Sequence, residues 1–309
     1  MPADRPVFSL IPKQRLIGLA FGAVESVRRG RGFDVAGSRP YRPGDPVEAI
    51  DWKASARLAT ARGTDEVLVL ERHAEEAPRV VVVCDRRPEM ALYSEGSPWL
   101  SKPEAVREAV GLIVASALAA HGLLGYLDLA GADRDDAFWR PPRSEAELWE
   151  VEERLRSTVF DAPPDNLTRA LERLGRLRRD LPAGSFVFIV SDFLVDPEPD
   201  AWWRAQSRRW ELVPVIVQDP VWEQDFPDIA SIVTPVVDPS SGRMTYVRLS
   251  DHDVAARRAA NRGRLARLRR EFEARGSTPI VVSSSDREEI FQAFLDWSEQ
   301  RGSERGRVW

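Results

Sequence analysis

From Pro78 onward the apolar residues of this chain alternate between two kinds of pattern. Short, continuous runs at Val80–Cys84, Leu123–Leu129, Ser185–Val190, Leu212–Val217 and Pro279–Val282 suit strands covered on both faces. Between them lie stretches with helical spacing at Lys102–His121, Ser144–Ser157 and Asn166–Arg179. The last sets Leu167, Ala170, Leu171, Leu174 and Leu177 on one face, and Ser144 with Glu147 forms a capping box. This alternation predicts an α/β fold, a doubly wound and mainly parallel sheet with helices on both faces.

One segment breaks the rhythm. Ile232–Val237 and Met244–Leu249 flank a Pro- and Gly-containing loop, which predicts a β-hairpin over 231–249, followed by a helix from Asp251 to Arg275. Residues 1–77 read differently again, with a helix over Pro12–Val27, a Gly/Arg-rich loop and a strand at Glu66–Leu70. The expected organisation is a small N-terminal β subdomain, 1–77, joined by the hairpin, beside an α/β domain, 78–309.

Local physics accounts for the stretch from Gly32 to Arg57. Arg42-Pro43-Gly44-Asp45 has Pro and Gly where a type II turn wants them. Asp45 then suits a helix N-cap, Pro46 the first helical position and Glu48 the capping-box position. Val47, Ile50, Ala54 and Leu58 follow as one stripe, so the turn should feed a helix carrying Asp51, Trp52, Lys53 and Arg57. No reaction follows from these residues.

Composition narrows the classes. The 309 residues can bury a full core, and a formal net charge of −5 argues against a general nucleic-acid binder. Of 44 basic residues only Lys13, Lys53 and Lys102 are lysines, leaving few groups for lysine chemistry. The single cysteine, Cys84, excludes an internal disulfide framework and fits a reducing compartment. His73, His121 and His252 lack zinc-site spacing, and no Walker A loop, nucleophile elbow or His-Glu-x-x-His helix is present. The longest apolar run, Ala109–Ala120, is about half of a bilayer span. Leu16–Val24 is a poor signal-peptide core between Asp4 and Glu25. A cytoplasmic protein without membrane insertion is expected.

The run Gly-Phe-Asp at 32–34, Arg39 to Pro46 and Ile50 to Arg57, followed by Val67–Arg72, resembles the signature of the domain of unknown function 58 family. Its signature residues here are Arg39, Tyr41, Gly44, Asp45, Asp51, Trp52, Lys53, Ser55 and Arg57. The resemblance extends from Gly32 to the end of the chain and departs at Glu48, where the family usually has Arg. It implies a von Willebrand factor A-like fold for the chain beyond the signature. It also implies a partner, a MoxR-type AAA+ ATPase acting on a client complex.

That resemblance directs attention to the strand ends, where open α/β sheets bind ligands. Von Willebrand A domains hold a metal there through an Asp-x-Ser-x-Ser loop, a Thr from a second loop and an Asp from a third. In this chain the first loop is similar in place but reads Asp85-Arg86-Arg87-Pro88-Glu89, with Arg87 and Glu89 at the Ser positions. Asp165 falls at the Thr position and Asp192 at the third. Arg87 would compete with a metal for the carboxylates through charge-assisted hydrogen bonds. A degenerate site, Asp85, Arg87, Glu89, Asp165 and Asp192, is therefore expected to pin the loops, with no catalytic residues, no cofactor and at most weak Mg²⁺.

The function this supports is a non-enzymatic interaction or adaptor protein. Two alternatives stay open. One is a divalent-metal-dependent binder or hydrolase using Asp85, Glu89, Asp165 and Asp192. The other is a polyanion or nucleic-acid binder using the helix 251–275 and its eight arginines, although Val254, Leu265, Leu268 and Phe272 make those arginines a plain solvated face. Trp202, Trp203, Trp210 and Trp222 are expected in the core, and Cys84 as an inert buried thiol.

Overall fold

The structure is a computed structural model. It describes residues 5–12, 35–41, 50–63, 67–72, 78–93, 97–131, 137–142, 148–157, 159–177 and 180–306. Two compact units divide the chain, residues 15–77 and residues 1–14 with 78–309; each is taken by itself.

In the smaller unit, strand β1 (Val35–Pro40) pairs antiparallel with β2 (Leu68–Arg72), and helix α1 (Trp52–Arg62) lies between them in sequence. The helix starts later than its apolar stripe predicts. Ile50 forms an isolated β-bridge with Val69 and Asp51 N–H donates to the Leu68 carbonyl at 2.9 Å, so neither residue is helical. Asp51 is the N-cap, accepting the amides of Lys53 and Ala54 at 3.1 and 2.9 Å, which satisfies two of the helix's free donors. The expected Arg42–Asp45 turn and the Asp45 cap lie outside the described residues, as do Gly44, Glu48 and, after Pro12, the helix expected over Pro12–Val27. Ser55 ties helix to strand: its hydroxyl donates to the Asp51 carbonyl at 2.7 Å and accepts the Leu68 amide at 2.8 Å. Gly63 ends α1 with φ at 65° and donates to the Ala59 carbonyl, a conformation that favours glycine.

The larger unit is built on a six-stranded sheet. Its elements in chain order are β3 (Arg79–Cys84), α2 (Lys102–Ala119), β4 (Leu123–Asp128), β5 (Phe138–Arg140), α3 (Leu148–Arg156) and α4 (Asn166–Arg176). Then come β6 (Phe186–Ser191), α5 (Pro199–Gln206), β7 (Glu211–Val217), the hairpin β8 (Val233–Val237) and β9 (Met244–Arg248), α6 (Asp251–Ala274), β10 (Ile280–Val282) and α7 (Arg287–Gly306). The strand order is β10-β7-β6-β3-β4-β5. Every neighbouring pair is parallel except β4 with the short strand β5. The mainly parallel sheet expected from the alternation is present, and β5 is an addition the sequence pattern did not reveal. The pairs β1–β2 and β8–β9 each form a two-stranded sheet of their own.

The β-branched runs work as their composition requires. Val80, Val82 and Cys84 point into one apolar cluster with α2 and α7, while Val81 and Val83 point into the other with α4, α5 and α6. All five residues after Arg79 are at most 1% exposed. The N-terminal segment reinforces the first cluster. Phe8 packs on Phe294 at 5.0 Å and Trp297 at 5.8 Å, its amide donates to Ser116 Oγ, and Arg301 holds the Ile11 carbonyl. Trp202 and Trp210 are buried as expected, but Trp203 is 68% exposed, because α5 turns only one of two consecutive residues inward. On α6 the buried row is Val254, Asn261, Leu268 and Phe272. Asn261 is inside because its amide donates to the carbonyls of Trp222 and Asp225. No helix among the described residues is long and apolar enough to cross a membrane.

The roles of Asp51 and Ser55 can be measured. Asp51→Ala should lower stability by about 1 kcal/mol, with Asp51→Asn restoring most of it. Ser55→Ala, which strands the Leu68 amide, should cost about 1–3 kcal/mol. Urea unfolding checks both, and variants that unfold with the parent would remove the structural account of these signature positions.

Candidate functional site

Strands β3 and β6 are neighbours with Cys84 opposite Val190, so the next residues, Asp85, Ser191 and Asp192, emerge side by side at the carboxyl end of the sheet. Asp85 and Asp192 are 0% exposed. A carboxylate taken this far from water must find its partners within the protein. The chain supplies the cations itself.

Arg87 comes back over its own strand. Its Nη2 lies 2.7 Å from Asp85 Oδ2 and 2.6 Å from Asp192 Oδ1, and its Nε and backbone N–H also donate to Asp85. The second cation is Lys102, in the first turn of α2. Its Nζ donates to Asp192 Oδ2 at 2.8 Å, to Glu223 Oε1 at 2.6 Å and to the Glu89 carbonyl at 3.3 Å. The remaining acceptor positions are filled by neutral groups. Asn166 Nδ2 reaches Asp85 Oδ1 at 3.1 Å and Ser191 Oγ donates to Asp85 Oδ2 at 2.6 Å. Leu194 N–H donates to Asp192 Oδ1, and Asp219 N–H to Glu223 Oε2.

The electrostatics follow from this wiring. Burial raises the Asp192 carboxyl, but Lys102 and then Arg87 outweigh it and hold the group below its usual range. Burial likewise disfavours charged Lys102, and Asp192 and Glu223 reverse the effect, so the ammonium is held more firmly than in water. Glu223 goes the other way: burial raises its carboxyl, Lys102 offsets part of the rise, and Asp192 adds to it. Three carboxylates share two cations, and Glu223 carries the surplus. Nearby, burial pushes the Cys84 thiol up to about 11, which keeps it protonated and unreactive.

The family model described as "Protein of unknown function DUF58" matches residues 37–269. The chain belongs to the DUF58 family. Among its relatives is the uncharacterized protein Rv1480 of Mycobacterium tuberculosis, 27% identical over 293 residues that cover 90% of this chain and 83% of that protein. The Mycobacterium bovis protein Mb1516 matches to the same degree. Among solved structures, the conserved hypothetical protein BatB of Bacteroides thetaiotaomicron overlaps 72% of this chain and 99% of its own at a TM-score of 0.41 and 14% identity.

The site of this DUF58 chain differs in membership from the set its sequence suggests. Asp85, Arg87 and Asp192 come together as expected. Asp165 does not join them: it sits just before α4 with its side chain 61% exposed and pairs with Arg169 at 3.3 Å. The next residue, Asn166, turns inward in its place. Glu89 contributes its backbone carbonyl, while its carboxylate accepts from Ser240 Oγ at 3.2 Å. Among the described residues no three His, Cys, Asp or Glu side chains gather in a metal-holding arrangement. Lys102 and Glu223 are the members that sequence reasoning missed. Of the signature residues, Tyr41, Trp52, Lys53 and Arg57 are exposed, Asp51 and Ser55 build the α1–β2 junction, and Arg39 lies in β1 opposite Val69.

A second buried charge closes the neighbouring strand. Asp128 ends β4 and accepts from Tyr126 and from Arg154 Nε at 2.8 Å. Arg86 approaches the same carboxylate at 3.7 Å and donates to the carbonyls of Arg154 and Ser157.

Removing Lys102 tests the wiring with a defined sign. Lys102→Met leaves Asp192 and Glu223 buried without their shared cation and should cost about 3–5 kcal/mol at pH 7. In the parent, Asp192 contributes stability that is present above the ordinary carboxylate range and lost as pH falls through its lowered pKa. In the variant the carboxylates take up protons more readily, so its deficit should shrink between pH 7 and pH ~4.5. Denaturant unfolding at the two pH values decides it; a deficit independent of pH would refute the assignment.

Proposed function

We propose that this protein is a non-enzymatic interaction protein, an adaptor built on a von Willebrand A-like, doubly wound sheet whose metal-site position is neutralised from within. The observation that carries the reading is the double bridge Asp85–Arg87–Asp192–Lys102. Protein cations and donors take up the carboxylate oxygens, so a divalent ion would have to displace two charge-assisted contacts before it could bind. Asp85 and Asp192 are also fully buried and each is bonded to a protein cation, which argues against paired acid–base catalysis on a substrate. Binding through the surface is what such a rigid edge offers. For the identity of the partner, a MoxR-type AAA+ ATPase with its client complex, the support is the family resemblance alone.

The contact belongs to the residues exposed around the cluster rather than to its buried members. Arg87 is 2% exposed, so its substitution would report on folding. Pro164, Asp165, Val195 and Asp196 are exposed beside the Asn166 and Asp192 loops, which are tied by the bond from Glu198 N–H to Thr168 Oγ1. Charge at this rim sets association rate and specificity.

Sedimentation of the recombinant pair, with and without ATP, is the test. Association should weaken with salt and fall about tenfold, ~1.4 kcal/mol, in Asp165→Arg with Val195→Arg. No shift in any nucleotide state at about 50 μM would defeat the adaptor reading. Saturable micromolar Mg²⁺ binding by calorimetry, abolished by Asp192→Asn, would replace it with the metal-dependent one.

A further inference from the structure

Neither outer edge of the hairpin β8–β9 is paired among the described residues. Its register and the bond from Asp238 N–H to the Arg243 carbonyl at 2.9 Å make 238/243, 236/245 and 234/247 its hydrogen-bonded pairs. At the alternate pairs, Val233/Arg248, Pro235/Tyr246 and Val237/Met244, the backbone groups therefore point outward. These six residues also share one face. All are exposed, Tyr246 at 70%, Val233 at 58% and Met244 at 54%.

The two edges are not equivalent. Pro235 has no N–H, so the outer edge of β8 is interrupted at its middle. The outer edge of β9 presents Met244, Tyr246 and Arg248 without a break, and none of these amides has a partner among the described residues. Charge singles out β9 as well. Arg243 precedes it and Arg248 ends it, both exposed and neither in an ion pair among the described residues. The hairpin's own acid, Asp238, is turned into the loop, accepting from Ser240 N–H and Ser241 Oγ.

We propose that the outer edge of β9 is a docking site for an extended segment of another protein. The segment adds as a third strand, lays apolar residues at alternate positions along the Tyr246 face, and places acidic residues at its ends against Arg243 and Arg248. A second copy of this chain is the wrong occupant. Its β9 has Arg243 before it and Arg248 at its end, with no acidic residue between them, so two such strands would bring four cations to one ribbon and no charge to match them. The site is separate from the rim invoked for the adaptor function and does not rest on that reading.

The probe is the blocked hexapeptide Glu-Thr-Val-Thr-Val-Glu, with a Lys-ended version as control. Hydrogen exchange of the full chain is followed at about 1 mM peptide, where a site of Kd ~0.1 mM would slow exchange about tenfold. The acidic peptide should protect the outward amides of Met244, Tyr246 and Arg248 to that extent, and the Lys-ended one much less. Tyr246→Pro removes the central edge donor at a position that makes no bond within the hairpin, so it should abolish protection while the β8–β9 ladder amides stay slow. Arg243→Glu with Arg248→Glu should reverse the preference between the peptides. No slowing with an intact ladder, equal protection by both peptides, or protection that rises with protein concentration alone would each overturn the proposal, the last in favour of a second copy. A parent chain that takes the peptide but no ATPase sinks only the adaptor reading.

Discussion

Arg87 and Lys102, each divided between two carboxylates, close the carboxyl end of the sheet. Through them the loop after β3 is bonded to the loop after β6, the first turn of α2 to both, and the segment after β7 to α2. The parallel register brings Asp85 and Asp192 together, and once they are buried the charges must be matched. Burying a network of charged side chains is costly, and apolar residues of the same volume would give equal or greater stability. The network's distinctive contribution is geometric: each guanidinium or ammonium has its donors spent on particular oxygens, so the loops have one arrangement. Phe193 shows the constraint, held at φ 49° with its ring on Phe272 at 5.1 Å and its amide on Ser191 Oγ. Strain of this kind persists only where surrounding contacts over-determine the backbone.

The strands were legible because burial on both faces leaves an unambiguous mark, a continuous β-branched run. The site was legible in part for a related reason. A residue directly after such a run must emerge at the sheet's end, and Asp85, Arg87 and Asp192 all follow that rule. Asp165 fails it because a loop of uncertain length precedes α4, and a shift of one residue exchanges the inward position for the outward one. Asn166 therefore takes the place assigned to its neighbour. Lys102 and Glu223 lie far from Asp192 in sequence, and no local spacing links them. One signal was available: in a chain with 44 basic residues, nearly all Arg, a lysine stands at the head of a long apolar helix. A compact ammonium fits a buried point between two carboxylates where the planar fork of Arg does not.

The signature stretch shows the opposite balance. Its residues matched a family pattern, but the apolar stripe carried the expected helix straight through Ile50 and Asp51. Tertiary pairing decides otherwise there: Ile50 bridges to Val69 and Asp51 bonds to Leu68, so α1 begins after them. Asp51 and Ser55 then serve the junction between α1 and β2.

How the chain treats its strand edges sets the hairpin apart. The six-stranded sheet ends on one side in β10 and on the other in β5, each three residues long, and short edge strands are a standard protection against stray pairing. The hairpin strands are five residues each and carry their apolar side chains outward. One edge is blocked by Pro235 and the other left open between two arginines. Were the hairpin a mere connection between β7 and α6, a polar loop would do the same work without the aggregation hazard of an exposed apolar ribbon. Blocking one edge but not its partner makes the two sides of the ribbon unequal, which is the asymmetry that docking along β9 requires.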